Sequence, residues 1–305
     1  MTWVRVSEDA PWSNRDSMGH LVYDDKMWIL GGFEPGRVND VWSSSDGEIW
    51  ECVTSAAEWP PRNLPTCLVY DGKMWLMGGS DQIQRKSVTY NDVWNSTDGQ
   101  NWNLVTPNAA WSARSAASSL VFNGKMWIFG GMDAPYGRAH NHDVWYSTDG
   151  IGWEQATDYA PWSDRAMHSS VVFDNKMWVI GGGVYDESYY RNTVVNYNDV
   201  WFSTDGENWT EATGHAGWPA RRFHRSVVYE DKMWVIGGNN YGNRNDTWYS
   251  SDGEHWSRLK SDQLWSVRHE PACLVYRDKL WLLGGFGQEL YNDIWTLTTS
   301  REQNR

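Results

Sequence analysis

Short apolar runs broken by turn residues recur along the whole chain, and they alternate with a period of two where they are not continuously apolar. Runs such as His20–Asp24 (HLVYD) predict a half-buried strand, followed by a two-residue turn of the Asp71-Gly72 or Asn123-Gly124 kind, a hairpin signal. A continuous run of the KMWIL type comes next and ends in a double glycine. A loop of variable length leads to a third strand, as in Asp40–Ser44 (DVWSS), and a tight S-x-D-G turn feeds a fourth, as in Asn101–Thr106 (NWNLVT). No segment carries a helical period with caps, so the pattern predicts an all-β fold.

The four-strand unit repeats. The string KMW(I/L/V)xGG occurs at Lys26–Gly32, Lys73–Gly79, Lys125–Gly131, Lys176–Gly182 and Lys232–Gly238, with KLWLLGG at Lys279–Gly285. A spacing of 47 to 56 residues between successive copies suits a four-stranded propeller blade and overrides the two-domain expectation that length alone suggests. Tryptophan tests the reading. Trp12, Trp59, Trp111, Trp162, Trp218 and Trp265 precede the first strand, six more stand on the second and six on the third, but the DGxxW position is filled only by Trp50, Trp102, Trp153, Trp209 and Trp256. Thr2-Trp3-Val4-Arg5-Val6 has the character of that missing fourth strand, and Trp3 completes the assignment of all 24 tryptophans. The expectation is one six-bladed propeller over residues 1–305, with blades near 10–57, 58–109, 110–159, 160–215, 216–262 and 263–299, closed by residues 2–7 as the outermost strand of the last blade.

The double glycine after an apolar strand, the downstream Trp, and an Arg-x-x-His before the first strand (Arg165-Ala166-Met167-His168, Arg221-Arg222-Phe223-His224) resemble kelch repeats over essentially the whole chain. The S-x-D-G-x-x-W segment also resembles the Asp-box turn of other propellers, one residue shorter. The resemblance implies the fold; kelch propellers host binders and enzymes alike.

Composition narrows the functional classes. A net charge of −13 argues against non-specific nucleic-acid binding. No apolar stretch approaches the ~18–20 residues that cross a bilayer. The start lacks a basic and apolar leader, so a cytoplasmic location is expected, or an extracytoplasmic one if a leader was removed; a monomer is also expected. Cys52, Cys67 and Cys273 are too few to staple the chain, and the last two fall at matching strand positions, as small core residues would. No cofactor or metal is expected; His140-x-His142 sits in a loop without nearby Cys and reads as polar surface.

Positions present in every blade read first as scaffold: the glycines as sites of close packing or positive φ, the Asp of each D-V-W as a fixer of local backbone amides. One repeated residue stays open between structure and function. Arg15, Arg62, Arg114, Arg165, Arg221 and Arg268 each lie 13 residues before the second-strand Trp, where the chain enters the innermost strand. Six guanidiniums at one mouth of the channel must be offset by carboxylates (Asp16, Asp164 and Glu270 are near in sequence), stacked on Trp, or open to an anion. The variable second-to-third-strand loops share that face and carry Arg85, Lys86, Tyr90, Tyr136, Arg138, His140, His142, Tyr185, Tyr189, Tyr190, Arg191, Tyr241 and Arg244. The opposite face holds uniform turns.

The expected site is therefore this Arg/Tyr-rich face, with the six repeated arginines joined by Tyr185, Tyr189, Arg191, Arg222, Tyr241 and Arg244. The expected activity is non-catalytic recognition of an acidic small molecule, a glycan, or an acidic peptide or protein segment. The alternative follows from the kelch resemblance, since propellers of this size include a bacterial sialic acid mutarotase. That would make His168 or His224 proton shuttles on an acidic sugar, with Glu187 or Glu270 as partner.

Overall fold

The computed structural model describes residues 1–83, 86–133, 141–186 and 193–298, and of Tyr185, Asp186 and Thr193 the backbone only. Among them there is no helix, and the strands form six four-stranded antiparallel sheets plus a small hairpin, Ser80–Ile83 with Lys86–Thr89, outside the second blade. Five sheets run in simple chain order; the sixth runs Thr2–Ser7, Leu290–Thr298, Lys279–Phe286, Ala272–Tyr276. The N-terminal strand thus closes the ring, with Trp3 opposite Leu297. Trp3 also meets Trp265 edge-to-face at 6.1 Å, the same arrangement as Trp59–Trp102 and Trp111–Trp153.

The local chemistry explains each element. All six turns between first and second strands place both central residues at positive φ, including the Glu230-Asp231 and Arg277-Asp278 pairs, as the twist of a two-residue hairpin requires. In the S-x-D-G turn, the Asp46 carboxylate accepts from the amides of Glu48 and Ile49 while Ser44 accepts from Gly47. The turn glycine joins blades: a Cβ on Gly99 would lie 2.2 Å from the Trp28 ring of the preceding blade. The apolar cores lie between sheets, each mixing second-strand Met and Trp with the neighbour's strands.

The double glycine follows the strand end, as expected, in blades 2, 3 and 5 but not in the others. In blades 1, 4 and 6 the second strand runs through it, as Lys26–Glu34, Lys176–Asp186 and Lys279–Phe286, with a register shift at the glycines. In every blade the second glycine's amide donates to the carbonyl of the next blade's repeated arginine, from Gly32→Arg62 at 3.1 Å to Gly285→Arg15 at 2.9 Å. A Cβ at Gly32 would stand 2.7 Å from the Asp16 carbonyl, so only glycine fits the joint.

Candidate functional site

The six repeated arginines are not a free anion-receptive ring. Arg15, Arg62, Arg114, Arg165, Arg221 and Arg268 are 0–2% exposed. Each is chelated by the D-V-W aspartate of its own blade: Asp40, Asp92, Asp143, Asp199, Asp246 and Asp293. Arg221 shows the pattern: Nη1 and Nη2 donate to the two Asp246 oxygens at 2.7 and 2.9 Å, Nη1 also to the Gly237 carbonyl, and Nε to the Pro219 carbonyl. The aspartates accordingly hold guanidiniums and the indole two residues on (Asp246–Trp248, 2.8 Å) rather than backbone amides. Aromatic faces complete the sleeve, with Tyr90 4.2 Å from Arg62 and Tyr291 4.2 Å from Arg268.

The two histidines expected to move protons are also structural. His168 Nε2 pairs with Ser118 at 2.7 Å and His224 Nε2 with Ser169 at 2.9 Å, both rings buried under the double glycines. Burial, then the neighbouring arginines, pushes His168 down to about 3 and His224 well below its usual value, so both are neutral at physiological pH. Tyr241 is 84% exposed, its hydroxyl donating to the Val194 carbonyl, while Arg244 bridges Arg268 through the backbone. Arg222 lies at the mouth with its guanidinium 5.6 Å from the Phe223 ring. Tyr189 and Arg191 lie outside the described residues, as do Arg85, Tyr136, Arg138, His140, Glu187, Tyr190 and the Tyr185 side chain. His142 pairs with Asp164 and stacks on Tyr159, a surface contact.

What the fold assembles instead is a mouth on the loop face. The second residue after each repeated arginine (Ser17, Leu64, Ala116, Met167, Phe223, Glu270) takes a φ of 53–59°, and successive amides donate around the channel: Leu64→Ser17, Ala116→Leu64, Met167→Ala116, Phe223→Met167 and Glu270→Phe223. At the seam between the last and first blades, side chains bridge as well: Ser17 Oγ lies 2.9 Å from Asp16 Oδ1 and contacts Glu270 Oε2. One hydroxyl carries one proton, so two such contacts call for a second proton on a carboxyl. Burial, then each other's charge, lifts Asp16 to about 8, and burial lifts Glu270 too, so the pair shares a proton near neutrality. His269 sits beside them with Nδ1 on Asn243 at 2.7 Å, between Phe223 and Phe286, and burial holds it down to about 4. Asp16, His269 and Glu270 could offer ligand atoms within 4.8 Å of one another, but Ser17 and the shared proton already satisfy this cluster as a hydrogen-bonded acid pair.

Above the ring lies a concavity of about 270 Å³, with Phe33, Leu64, Met132, Met167 and Phe223 as apolar walls and Asp16, Arg37, Asn63, Ser80, His269 and Glu270 as polar ones. Arg37 packs over Phe33 at 5.3 Å, and its Nε meets no acceptor among the described residues. Asp16, Ser17, Phe33, Arg37 and His269 were not legible as site residues, because they differ from blade to blade and no repeat marks them.

A ring of four-stranded sheets clasped by double glycines and Arg–Asp pairs, with a mixed apolar and polar mouth on its variable face, defines a kelch-type β-propeller. The chain belongs to the kelch-repeat family: residues 139–303 match the model described as the KLHDC2/KLHL20/DRC7 Kelch-repeats domain. It is similar to the dynein alpha chain of the flagellar outer arm from Chlamydomonas reinhardtii, 28% identical over 43% of this chain and 3% of that one. Tip elongation aberrant protein 1 of Schizosaccharomyces pombe is 25% identical over 52% of this chain and 14% of its own length. The leucine-zipper-like transcriptional regulator 1 homolog of Drosophila melanogaster is 29% identical over 41% and 13%. The matched region is thus a small part of these relatives. The solved structure of YjhT superposes with a TM-score of 0.76 over 95% of this chain and 96% of its own at 16% identity, a likeness of fold. Kelch propellers are typically protein-interaction scaffolds.

Proposed function

We propose that the propeller is a recognition module that seats an acidic partner segment in the mouth on its loop face. The carrying observation is the mixed concavity: an apolar side chain fits against Leu64, Met132 and Met167, while Arg37 offers a guanidinium at the rim. Acid recognition thereby moves from the six repeated arginines, which their aspartates consume, to Arg37 and its neighbours. The test is fluorescence anisotropy against eight-residue peptides that pair one Asp or Glu with one Leu, Met or Phe. Saturable hits should weaken about tenfold in Arg37→Ala, the loss expected of one charge-assisted contact. They should be unchanged in Arg5→Ala, whose side chain pairs with Glu8 on the outer strand. Hits indifferent to Arg37→Ala, or an absence of hits, would reject the reading.

A second reading, anomer exchange on an acidic sugar such as sialic acid, is favoured by one observation, the acid pair at the mouth. Glu270 and Asp16 then replace His168 and His224 as the proton-carrying groups. NMR exchange spectroscopy would read accelerated anomer exchange that is lost in Glu270→Gln; exchange at the uncatalysed rate would discard it.

A further inference from the structure

Deeper along the inner strands than the acid pair lies a second cavity of about 120 Å³, with Thr66, Ser119, Ser170, Ser226, His20 and Arg225 in its wall. Arg225 is the anomaly. It opens the first strand of its blade opposite Ile236, where the corresponding residues of the other blades are Gly19, Thr66, Ser118, Ser169 and Ala272, all small. Its Nε donates to the Pro271 carbonyl of the neighbouring blade at 2.8 Å, which fixes the plane of the guanidinium. Its two terminal nitrogens have no hydrogen-bond acceptor and no ion-pair partner among the described residues, unlike the six repeated arginines. The nearest carboxyls, Asp16 and Glu270, are held by Ser17.

Arg225 is partly buried, its terminal donors open into the cavity without an acceptor among the described residues, and two parallel N–H groups are matched by a planar oxyanion. The hydroxyls of the wall can turn to donate to the same anion. His20 adds no second charge, since burial and then Arg225 push it down to about 3. The cavity, about 120 Å³ and continuous with the channel, has room for a small anion beside the guanidinium. A wider space walled by Val69, Val171, Val227 and Val275 shares His20 and Cys67 with it, offering a route from the face opposite the mouth.

We propose that the channel interior is a binding site for a small planar monovalent carboxylate, chelated by the terminal nitrogens of Arg225 and the serine hydroxyls around it. The site is independent of what occupies the mouth. The probe is ¹³C-formate, titrated into the full chain and followed by NMR line broadening, alongside melting curves in sodium formate and sodium chloride at equal ionic strength. Saturable broadening reversed by nitrate is expected, with a melting temperature higher in formate than in chloride. Both effects should vanish in Arg225→Gln, which removes the charge, and in Ser170→Leu, which fills the cavity and keeps the guanidinium. Absence of saturable broadening in the wild type, or formate binding undiminished in Ser170→Leu or in a folded Arg225→Gln, would overturn the site. If Arg225→Gln fails to fold, the wild-type titration and Ser170→Leu decide.

Discussion

Replacing Arg221 by Met separates a structural arginine from a ligand-binding one. The side chain is fully buried and donates to Pro219, Gly237 and both Asp246 oxygens. Its loss leaves the Asp246 carboxylate, 9% exposed, with the Trp248 indole as its remaining side-chain hydrogen bond and the Arg258 charge nearby. Breaking one side of a buried pair costs about 3–5 kcal/mol, because the remaining charge loses its bidentate partner and has little water to replace it. Unfolding entropy of about 2.1 cal/mol/K per residue implies about 0.6 kcal/mol/K for the 305-residue chain, so the melting temperature should fall by about 5–8 °C. The double variant Arg221→Met, Asp246→Leu removes the stranded charge and should recover part of that loss. Differential scanning calorimetry at pH 7 measures both. A single variant melting within about 1 °C of wild type, or a double variant no better than the single, would refute the clasp and return Arg221 to the ligand.

Two further perturbations probe the seam. Asp16 is lifted from an ordinary carboxylate value to about 8 in the folded state, so folding takes up its proton. Its contribution is complete below about pH 4 and declines as pH rises towards 8; Asp16→Asn should flatten that decline in melting temperatures taken at pH 5, 6.5 and 8, and an unchanged slope would count against the acid pair. Trp3→Ala removes a fully buried ring packed on Trp265 and bonded to Thr247, at about 3–5 kcal/mol, and should raise hydrogen exchange first in Leu290–Thr298. Exchange rising evenly in all blades would mean that closure is not where the ring opens.

Much of the scaffold was readable because it is local. The Asp-Gly and Asn-Gly turns, the alternation on the first strand and the tryptophan count each depend on a few consecutive residues, and Trp3 could be placed by subtraction before any contact was known. The partners of the arginines were not readable. The aspartates lie 25, 30, 29, 34, 25 and 25 residues downstream, and the variable loop between them hides the pairing that a constant interval would have shown. His168 and His224 have the residue type for proton transfer, but burial against Ser118 and Ser169 removes the titration that the role requires.

Sequence by itself determined the all-β class, the six units and the strand that closes them, since strand period, turn chemistry and repeat length are properties of neighbouring residues. Tertiary structure alone decided the site. Ser17 and Glu270 are 253 positions apart and meet only because the ring closes, and their proton is shared only because closure excludes water. Arg225 departs from the small residues at the equivalent positions of the other blades, but its character as an uncommitted cation comes from what the other five inner strands fail to place beside it. Charge compensation and desolvation are sums over everything that surrounds a group, and in a closed ring those surroundings come from every part of the chain.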